Sequence, residues 1–165
     1  MKTELLTITL ALASVAGSAA ESPRWLRNTA ISPDGTTVLF TYKGDIFSVP
    51  STGGDARQLT SSHAYDTAPV WSPDGSRIAF SSTREGGTDI FLMPAAGGTP
   101  RRITTARGVE TPLAFLNDST LIYSSGEIAS RESTRFPTSL TRTYSVNVNR
   151  ESARPELYLS MPMRS

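Results

Sequence analysis

The sequence has no cysteine, a single histidine, almost no net charge and, after its first twenty residues, no long hydrophobic run. The absence of cysteine excludes a disulfide framework, a thiolate nucleophile and Cys-ligated zinc. Because His63 is the only histidine, a metal site built from several histidines is excluded as well. The 16 Lys+Arg against 15 Asp+Glu residues give a formal charge of +1, so nucleic acid is not an expected partner. No cofactor and no metal ion are predicted.

What the sequence does contain favours a folded domain of short strands. The chain has 165 residues, of which 38% are hydrophobic, a proportion typical of a protein with a packed core. The 11 prolines and 12 glycines are residues of turns. The composition therefore indicates an all-β protein with many turns.

Residues 1–20 have the three parts of a secretory signal peptide. Lys2 gives a positive start, residues 5–16 form an apolar run, and Ser18, Ala19 and Ala20 supply the small residues before a cleavage site. The apolar run is too short to cross a bilayer of roughly 30 Å. We therefore expect export to the periplasm or cell envelope, with no membrane span left after the signal peptide is removed.

An internal repeat organises the rest of the chain. Residues Ala30–Phe40 return 40 positions later as Val70–Phe80, both around the string Ser-Pro-Asp-Gly. Residues Gly44–Pro50 return 44 positions later as Thr88–Pro94, both around Asp-Ile-Phe. A third, weaker copy begins at Thr111. A period of this size built from short strands is that of one propeller blade.

The residue types in each copy predict four antiparallel strands. Ser-Pro-Asp-Gly is a tight turn, because Pro presets φ, Asp bonds the following backbone and Gly accepts positive φ. The runs Val38–Phe40 and Ile78–Phe80 are predicted strands buried on both faces between blades. Trp71 and its equivalents Ile31 and Phe115 are predicted core residues between blades. Asp45 and Asp89 each open a third strand, where we expect them to make structural hydrogen bonds.

The third copy departs from the pattern. Residues 126–135 are polar and are predicted to form a loop inserted between its second and third strands. Residues 142–149 alternate with period two and are predicted as the third strand, and residues 155–160 as the outer strand. The predicted blades are residues 25–66, 67–109 and 110–160, within a propeller segment of residues 21–165.

The repeated strings carry a family resemblance. Trp-Ser-Pro-Asp-Gly-Ser-Arg-Ile-Ala-Phe, followed by Asp-Ile-Phe, Gly-Gly and Arg-Ile-Thr, resembles the WD-repeat-like blade of TolB-like propellers and of the propellers of tricorn-type proteases and prolyl oligopeptidases. The signal peptide followed closely by the first blade is most similar to the start of secreted tricorn-like proteases. The resemblance covers residues 25–125 well. It is specific for fold and less so for function, since such blades are scaffolds for unrelated tasks.

The predicted blade count is too low for a closed ring. At about 43 residues per blade, the chain supplies roughly three and a half, whereas closed propellers typically have about four to eight. The fold class predicted is therefore an incomplete β-propeller of about three four-stranded antiparallel blades. Three explanations are open: the chain is the leading part of a longer protein, which we favour, several copies form a ring, or a partner closes it.

Candidate site residues lie in the loops that join one blade to the next. His63, Tyr65 and Asp66 follow the first blade, and Glu110 is their counterpart after the second. In propellers of this type such loops surround the mouth of the central channel, so these four are predicted binding residues, with ordinary loop packing as the alternative. Residues Arg84–Gly87 are predicted to form an exposed loop. Asp34 and Asp74 each stand alone in a turn that accounts for them without a metal.

Catalysis within this chain is not expected. A serine nucleophile needs a histidine base oriented by a carboxylate, and the sequence contains no Gly-x-Ser-x-Gly elbow. The function predicted is an exported propeller segment that binds or guides peptides or proteins. The resemblance to tricorn-like proteases implies that serine-peptidase catalytic residues lie in another part of the protein. The alternative is a non-enzymatic TolB-like interaction module of the cell envelope.

Overall fold

A computed structural model describes residues 26–106, 108–126, 141–150 and 154–159. The predicted signal peptide, residues 127–135 of the predicted loop and residues 160–165 lie outside these ranges. The first sheet contains β1 (Arg27–Ile31), β2 (Thr37–Tyr42), β3 (Asp45–Pro50) and β4 (Arg57–Gln58). The second contains β5 (Asp66–Trp71), β6 (Arg77–Ser82), β7 (Asp89–Pro94) and β8 (Arg101–Arg102). The third contains β9 (Val109–Asn117), β10 (Thr120–Gly126), β11 (Thr141–Asn147) and β12 (Glu156–Leu159).

Within each sheet, consecutive strands pair antiparallel, so the three sheets have the same order from first strand to fourth. This confirms the predicted all-β class and the four-stranded antiparallel blades. The three blades do not close a ring, which agrees with an incomplete propeller. In the described ranges, no helix is long and apolar enough to cross a membrane.

The Ser-Pro-Asp-Gly turns form as their side chains dictate. In the second blade, the Asp74 carboxylate accepts hydrogen bonds from the Ser76 backbone N–H at 3.0 Å and from the Ser72 hydroxyl at 2.5 Å. Gly75 has a φ of 69°, which is a left-handed conformation that glycine adopts without strain. In the third blade Asn117 replaces the aspartate and accepts from the Ser119 N–H at 3.0 Å. The turn therefore depends on a side-chain acceptor at this position.

Two apolar seams hold the blades together. The seam between the first and second blades consists of Leu39, Ile46, Ile78, Phe80, Phe91 and Met93. The seam between the second and third consists of Ala79, Ile90, Leu92, Leu121, Tyr123, Val146 and Val148. Strand β6 contributes to both seams because successive side chains of a strand point to opposite faces. Full burial of one large apolar side chain is worth about 1.5–3 kcal/mol.

The prediction of core residues between blades holds in part. Trp71 packs against the first seam and its indole N–H donates to the Ala30 carbonyl at 3.2 Å, while Phe115 packs against the second. Ile31 is 62% exposed, so its assignment to the core is wrong. The physical reason is that Trp71 packs on the blade before its own, whereas no described sheet lies against the face that carries Ile31. Val38 on the same sheet, predicted to be buried, is only partly buried.

Candidate functional site

The predicted binding residues lie at one end of the blades. His63 and Tyr65 are on the loop from β4 to β5, Asp66 begins β5, and Glu110 is the second residue of β9. The Asp66 N–H donates to the Gly44 carbonyl at 2.7 Å and the Glu110 N–H donates to the Thr88 carbonyl at 3.0 Å. The second and third blades therefore each begin with a hydrogen bond to the hairpin between the second and third strands of the blade before.

His63 and Tyr65 present their side chains to solvent. His63 is exposed and Tyr65 is 49% exposed. The Tyr65 N–H donates to the Thr83 hydroxyl at 2.9 Å, which ties the loop to the second blade. The Tyr65 ring covers Gly44, whose φ is 89°. A Cβ on Gly44 would lie 3.0 Å from Tyr65 Cδ2, so the close approach requires glycine.

Asp66 is completely buried and ion-paired. The Arg84 Nη2 atom lies 2.9 and 3.0 Å from its two carboxylate oxygens. The Arg84 guanidinium is also 4.8 Å from the ring centroid of Phe91 and 5.5 Å from that of Phe80, which are distances of cation–π contact. The predicted exposed loop is confirmed at Glu85, Gly86 and Gly87, but not at Arg84, whose side chain is only 20% exposed. The Arg84 side chain folds back because Asp66 and the two rings attract its charge.

In the first and second blades, a polar side chain from the fourth strand holds the first residue of the third strand. Asp45 accepts from the Gln58 amide at 3.0 Å, and the buried Asp89 pairs with the Arg102 Nη2 at 2.8 Å. A threonine two residues after this polar side chain completes the arrangement, since the Thr60 hydroxyl accepts from the Ile46 N–H and the Thr104 hydroxyl accepts from the Ile90 N–H, both at 2.9 Å. This geometry agrees with a structural role for both aspartates.

Glu110 is a buried carboxyl group in the second seam. Burial raises its pKa above the ordinary value, and the nearby Asp89 carboxylate adds to the rise, against the opposing influence of Thr104 and Arg102. Its carbonyl accepts from the Ser81 hydroxyl at 2.7 Å, which joins the second blade to the third. Burial and the Glu110 carboxylate also raise the pKa of Tyr123. Glu110 therefore faces the protein interior.

The side chains exposed at this end of the blades can form noncovalent contacts with a ligand. The exposed side chains include Lys43, His63, Tyr65 and Glu85, which supply an ammonium, an imidazole, a phenol and a carboxylate. Among the residues described, no group of three or more His, Cys, Asp and Glu side chains could hold a metal ion. The exposed groups can donate and accept hydrogen bonds and stack, which are the interactions of peptide recognition.

Sequence reasoning missed two of the residues that build this end. Arg102 had a signal, because the repeat places Gln58 at the same position and both side chains reach the aspartate that opens the third strand. Arg84 had none, since it lies in a four-residue insertion that the first blade lacks. Its partner Asp66 is 18 residues away.

Three successive four-stranded antiparallel sheets joined end to end define a segment of a β-propeller. The chain belongs to the family of the tricorn protease N-terminal beta propeller domain, which it matches over residues 23–161. The match covers all three blades.

Individual relatives agree with this assignment. A TolB homolog of Chlorobium luteolum is 39% identical over 39% of this chain and 14% of its own length. Dipeptidyl-peptidase 5 of Porphyromonas gingivalis is 34% identical over 46% of this chain and 15% of its own. The structure of putative TolB from Agrobacterium tumefaciens superposes with a TM-score of 0.67 at 21% identity, over 81% of this chain and 46% of that one.

The chain therefore spans about one seventh of the curated relatives it matches and less than half of the TolB structure. It is a propeller segment related both to TolB-like proteins and to peptidases.

Proposed function

We propose that this chain is the exported, substrate-guiding propeller segment of a tricorn-like serine peptidase, whose catalytic domain lies elsewhere in the full-length protein. The observation that carries the proposal is the family match over residues 23–161. The peptidase relative supports it. A chain with one histidine supplies binding surface to such an enzyme, and the catalytic base and nucleophile come from another domain.

His63 and Tyr65 are proposed to contact the bound peptide or protein. Both are exposed at the end of the blades where the loops between blades lie, and together they offer an aromatic ring and hydrogen-bonding groups. Asp66 and Glu110 are proposed to act in the same site by holding the first residues of β5 and β9, which set the positions of the loops.

Binding is tested with the full-length protein and short fluorescein-labelled peptides of mixed sequence. The double variant His63→Ala, Tyr65→Ala is expected to weaken binding about tenfold, equivalent to roughly 1.4 kcal/mol. Thr52→Ala is the control, because Thr52 is exposed at the opposite end of the first blade. Equal affinities for all three proteins would disprove the role of the two residues.

The enzymatic part of the proposal is tested separately. Full-length protein is expected to react with a fluorophosphonate probe, which labels activated serines, and to cleave the bound peptides. The His63→Ala, Tyr65→Ala variant should keep the labelling, because these residues are not proposed to touch the reacting atoms. A full-length protein that binds peptides but is neither labelled nor proteolytic would disprove the peptidase assignment.

A non-enzymatic TolB-like interaction module of the cell envelope is the second candidate. It is favoured by the 39% identity with a TolB homolog and by the TM-score of 0.67 with a TolB structure. This candidate predicts that the full-length protein binds peptides but is neither labelled at a serine nor proteolytic. It also predicts stoichiometric capture of a folded envelope protein from periplasmic extract.

Export is proposed from residues 1–20. Cell fractionation should place the protein in the periplasm or envelope, and mass spectrometry should find a new N-terminus at Glu21. Recovery in the cytosol with Met1 intact would contradict export.

Further blades from the same longer chain are proposed to cover the exposed apolar side chains of the outer blades, among them Ile31, Leu113 and Leu116. Such apolar surface is an association hazard when uncovered. Light scattering of the full-length protein should then give the mass of one copy. A mass of several copies would favour closure by self-assembly.

A further inference from the structure

A polar cleft of about 640 Å³ lies between the first and second blades. It is at the end opposite His63, where the Ser-Pro-Asp-Gly turns join β1 to β2 and β5 to β6. Its walls include both of these turns and the indole of Trp71. The site described above uses none of these residues.

The same place in the second seam is filled by an arginine of the protein itself. Arg77, at the start of β6, donates from Nη1 to the Asn149 side-chain oxygen at 2.7 Å and from Nη2 to the Asp118 carbonyl. The guanidinium therefore crosses from the second blade to the turns of the third.

Equivalent hydrogen bonds in the two seams identify the residues of the first seam that correspond to Arg77, Asp118 and Asn149. The Thr37 N–H donates to the Ser32 hydroxyl as the Arg77 N–H donates to the Ser72 hydroxyl, both at 2.9 Å. Two further bonds of 2.8 Å align the turns, from Ala95 N–H to the Ser76 carbonyl and from Val148 N–H to the Ser119 carbonyl. The aligned pairs are Thr37 with Arg77, Gly75 with Asp118, and Ala96 with Asn149.

Three small residues thus stand where the second seam has an arginine and its two partners. Thr37, Gly75 and Ala96 all line the cleft. The cleft exists because the Arg77 side chain has no equivalent in the first seam.

The charge of the cleft is negative. Asp34 and Asp74 lie on its wall, and Arg57 is its one lining cation. Hydrogen bonds from Ser72 and Ser76 lower the pKa of Asp74 to about 2, and bonds from Ser32 and Thr36 lower that of Asp34. Both carboxylates are therefore ionised at neutral pH. Arg57 already donates to the Ala96 carbonyl.

An aromatic surface completes the cleft. The Trp71 indole is held by its bond to the Ala30 carbonyl, and Pro33 and Pro73 also line the cleft. A guanidinium is planar and weakly hydrated, stacks on aromatic faces and pairs with carboxylates. The cleft offers both kinds of group, an aromatic face at Trp71 and carboxylates at Asp34 and Asp74.

We propose that the cleft binds an arginine side chain of a peptide or protein ligand, whose guanidinium occupies the place that Arg77 takes in the second seam. This inference rests on the proposed function, since it names the class of ligand that the propeller selects. It adds a second contact at the end of the blades away from His63 and Tyr65.

The first test compares two peptides of identical sequence, one with arginine and one with its neutral isostere citrulline, against full-length protein. Wild type is expected to bind the arginine peptide about tenfold tighter. Thr37→Arg supplies the guanidinium from the protein and should abolish the preference. Thr52→Arg adds the same charge at an exposed position outside the cleft and should keep it.

The outcomes separate the two proposals. Equal binding of both peptides by wild type, or a preference that survives in Thr37→Arg, would overturn the arginine site and leave peptide binding intact. Binding of neither peptide would overturn both.

A second measurement does not depend on a variant being folded. In wild-type protein, ethylguanidinium should shift the NMR signal of the Trp71 indole N–H, while the neutral analogue ethylurea should not. Identical shifts with both compounds, or none with either, would overturn the proposal.

Discussion

The Asp66 carboxylate is wholly buried, and a single nitrogen of Arg84 lies within 3.0 Å of both of its oxygens. Asp66 opens the second blade, and Arg84 comes from the hairpin between β6 and β7 of the same blade. The pair therefore holds the start of the strand that follows the His63 loop.

Arg84→Ala is expected to destabilise the protein by about 3 kcal/mol, because it leaves a buried carboxylate without its partner. Urea denaturation measures the loss. Glu85→Ala is the control, since the exposed neighbour should change stability by less than about 0.5 kcal/mol. Adding Asp66→Asn to Arg84→Ala should recover part of the loss, and equal stability of Arg84→Ala and wild type would contradict the assignment.

Glu110→Gln is expected to change how stability depends on pH. Burial raises the Glu110 pKa in the folded protein above its ordinary value of 4.5, so the folded state binds more protons than the unfolded state above that pH. Stability therefore falls as pH rises from about 4.5 through the raised pKa. The variant lacks this loss, and its melting temperature should exceed that of wild type by more at about pH 8 than at about pH 4.

Glu85→Gln, at an exposed position, is the matched control for the Glu110 experiment. The difference between its melting temperature and that of wild type should be the same at both pH values. A Glu110→Gln difference that does not vary with pH would show that the carboxyl titrates normally.

Gly44→Ala is expected to disturb the Tyr65 loop. Gly44 and Gly53 have the same φ of 89°, so alanine at either position incurs about 1–2 kcal/mol of backbone strain. Only at Gly44 would the new Cβ meet another residue, Tyr65 Cδ2 at 3.0 Å, since nothing lies within 4 Å at Gly53. Gly44→Ala should thus cost about 1 kcal/mol more than Gly53→Ala in urea denaturation. Equal losses would mean that the ring moves aside freely.

The Asp74 carboxyl is expected to titrate at about 2, below its ordinary value of 3.8. The Ser72 and Ser76 bonds stabilise the ionised form, so their contribution to stability is present above pH 3.8 and is lost as pH falls through about 2. Carbon-13 NMR of the carboxyl measures the midpoint. Ser72→Ala should raise it and the exposed Ser51→Ala should not; a wild-type midpoint near 3.8 would contradict the turn geometry.

Much of the fold could be predicted because its signals are local. The Asp34 and Asp74 turns depend on side chains within two residues of the backbone they bond, and strand periodicity depends on neighbours in the chain. The position of the third blade's turn was harder to predict, since Asn117 stands there in place of aspartate.

The sequence places the four predicted residues at one end of the blades but does not determine their exposure. His63, Tyr65, Asp66 and Glu110 all lie at the predicted end of the blades. Whether each faces solvent depends on side chains distant in sequence, such as Arg84 for Asp66 and the whole second seam for Glu110.

The sequence by itself determined the repeat, the strands and the turns, since these follow from side-chain alternation and turn chemistry within one copy. Only the tertiary structure determined which residues of each copy are buried, paired or exposed. Trp71 and Ile31 hold the same place in the repeat, yet one packs against the blade before it and the other is exposed. Thr37 and Arg77 are equivalent as well, yet one lines a cleft and the other fills the next seam. Burial and pairing depend on the neighbouring sheet, which the local pattern does not encode.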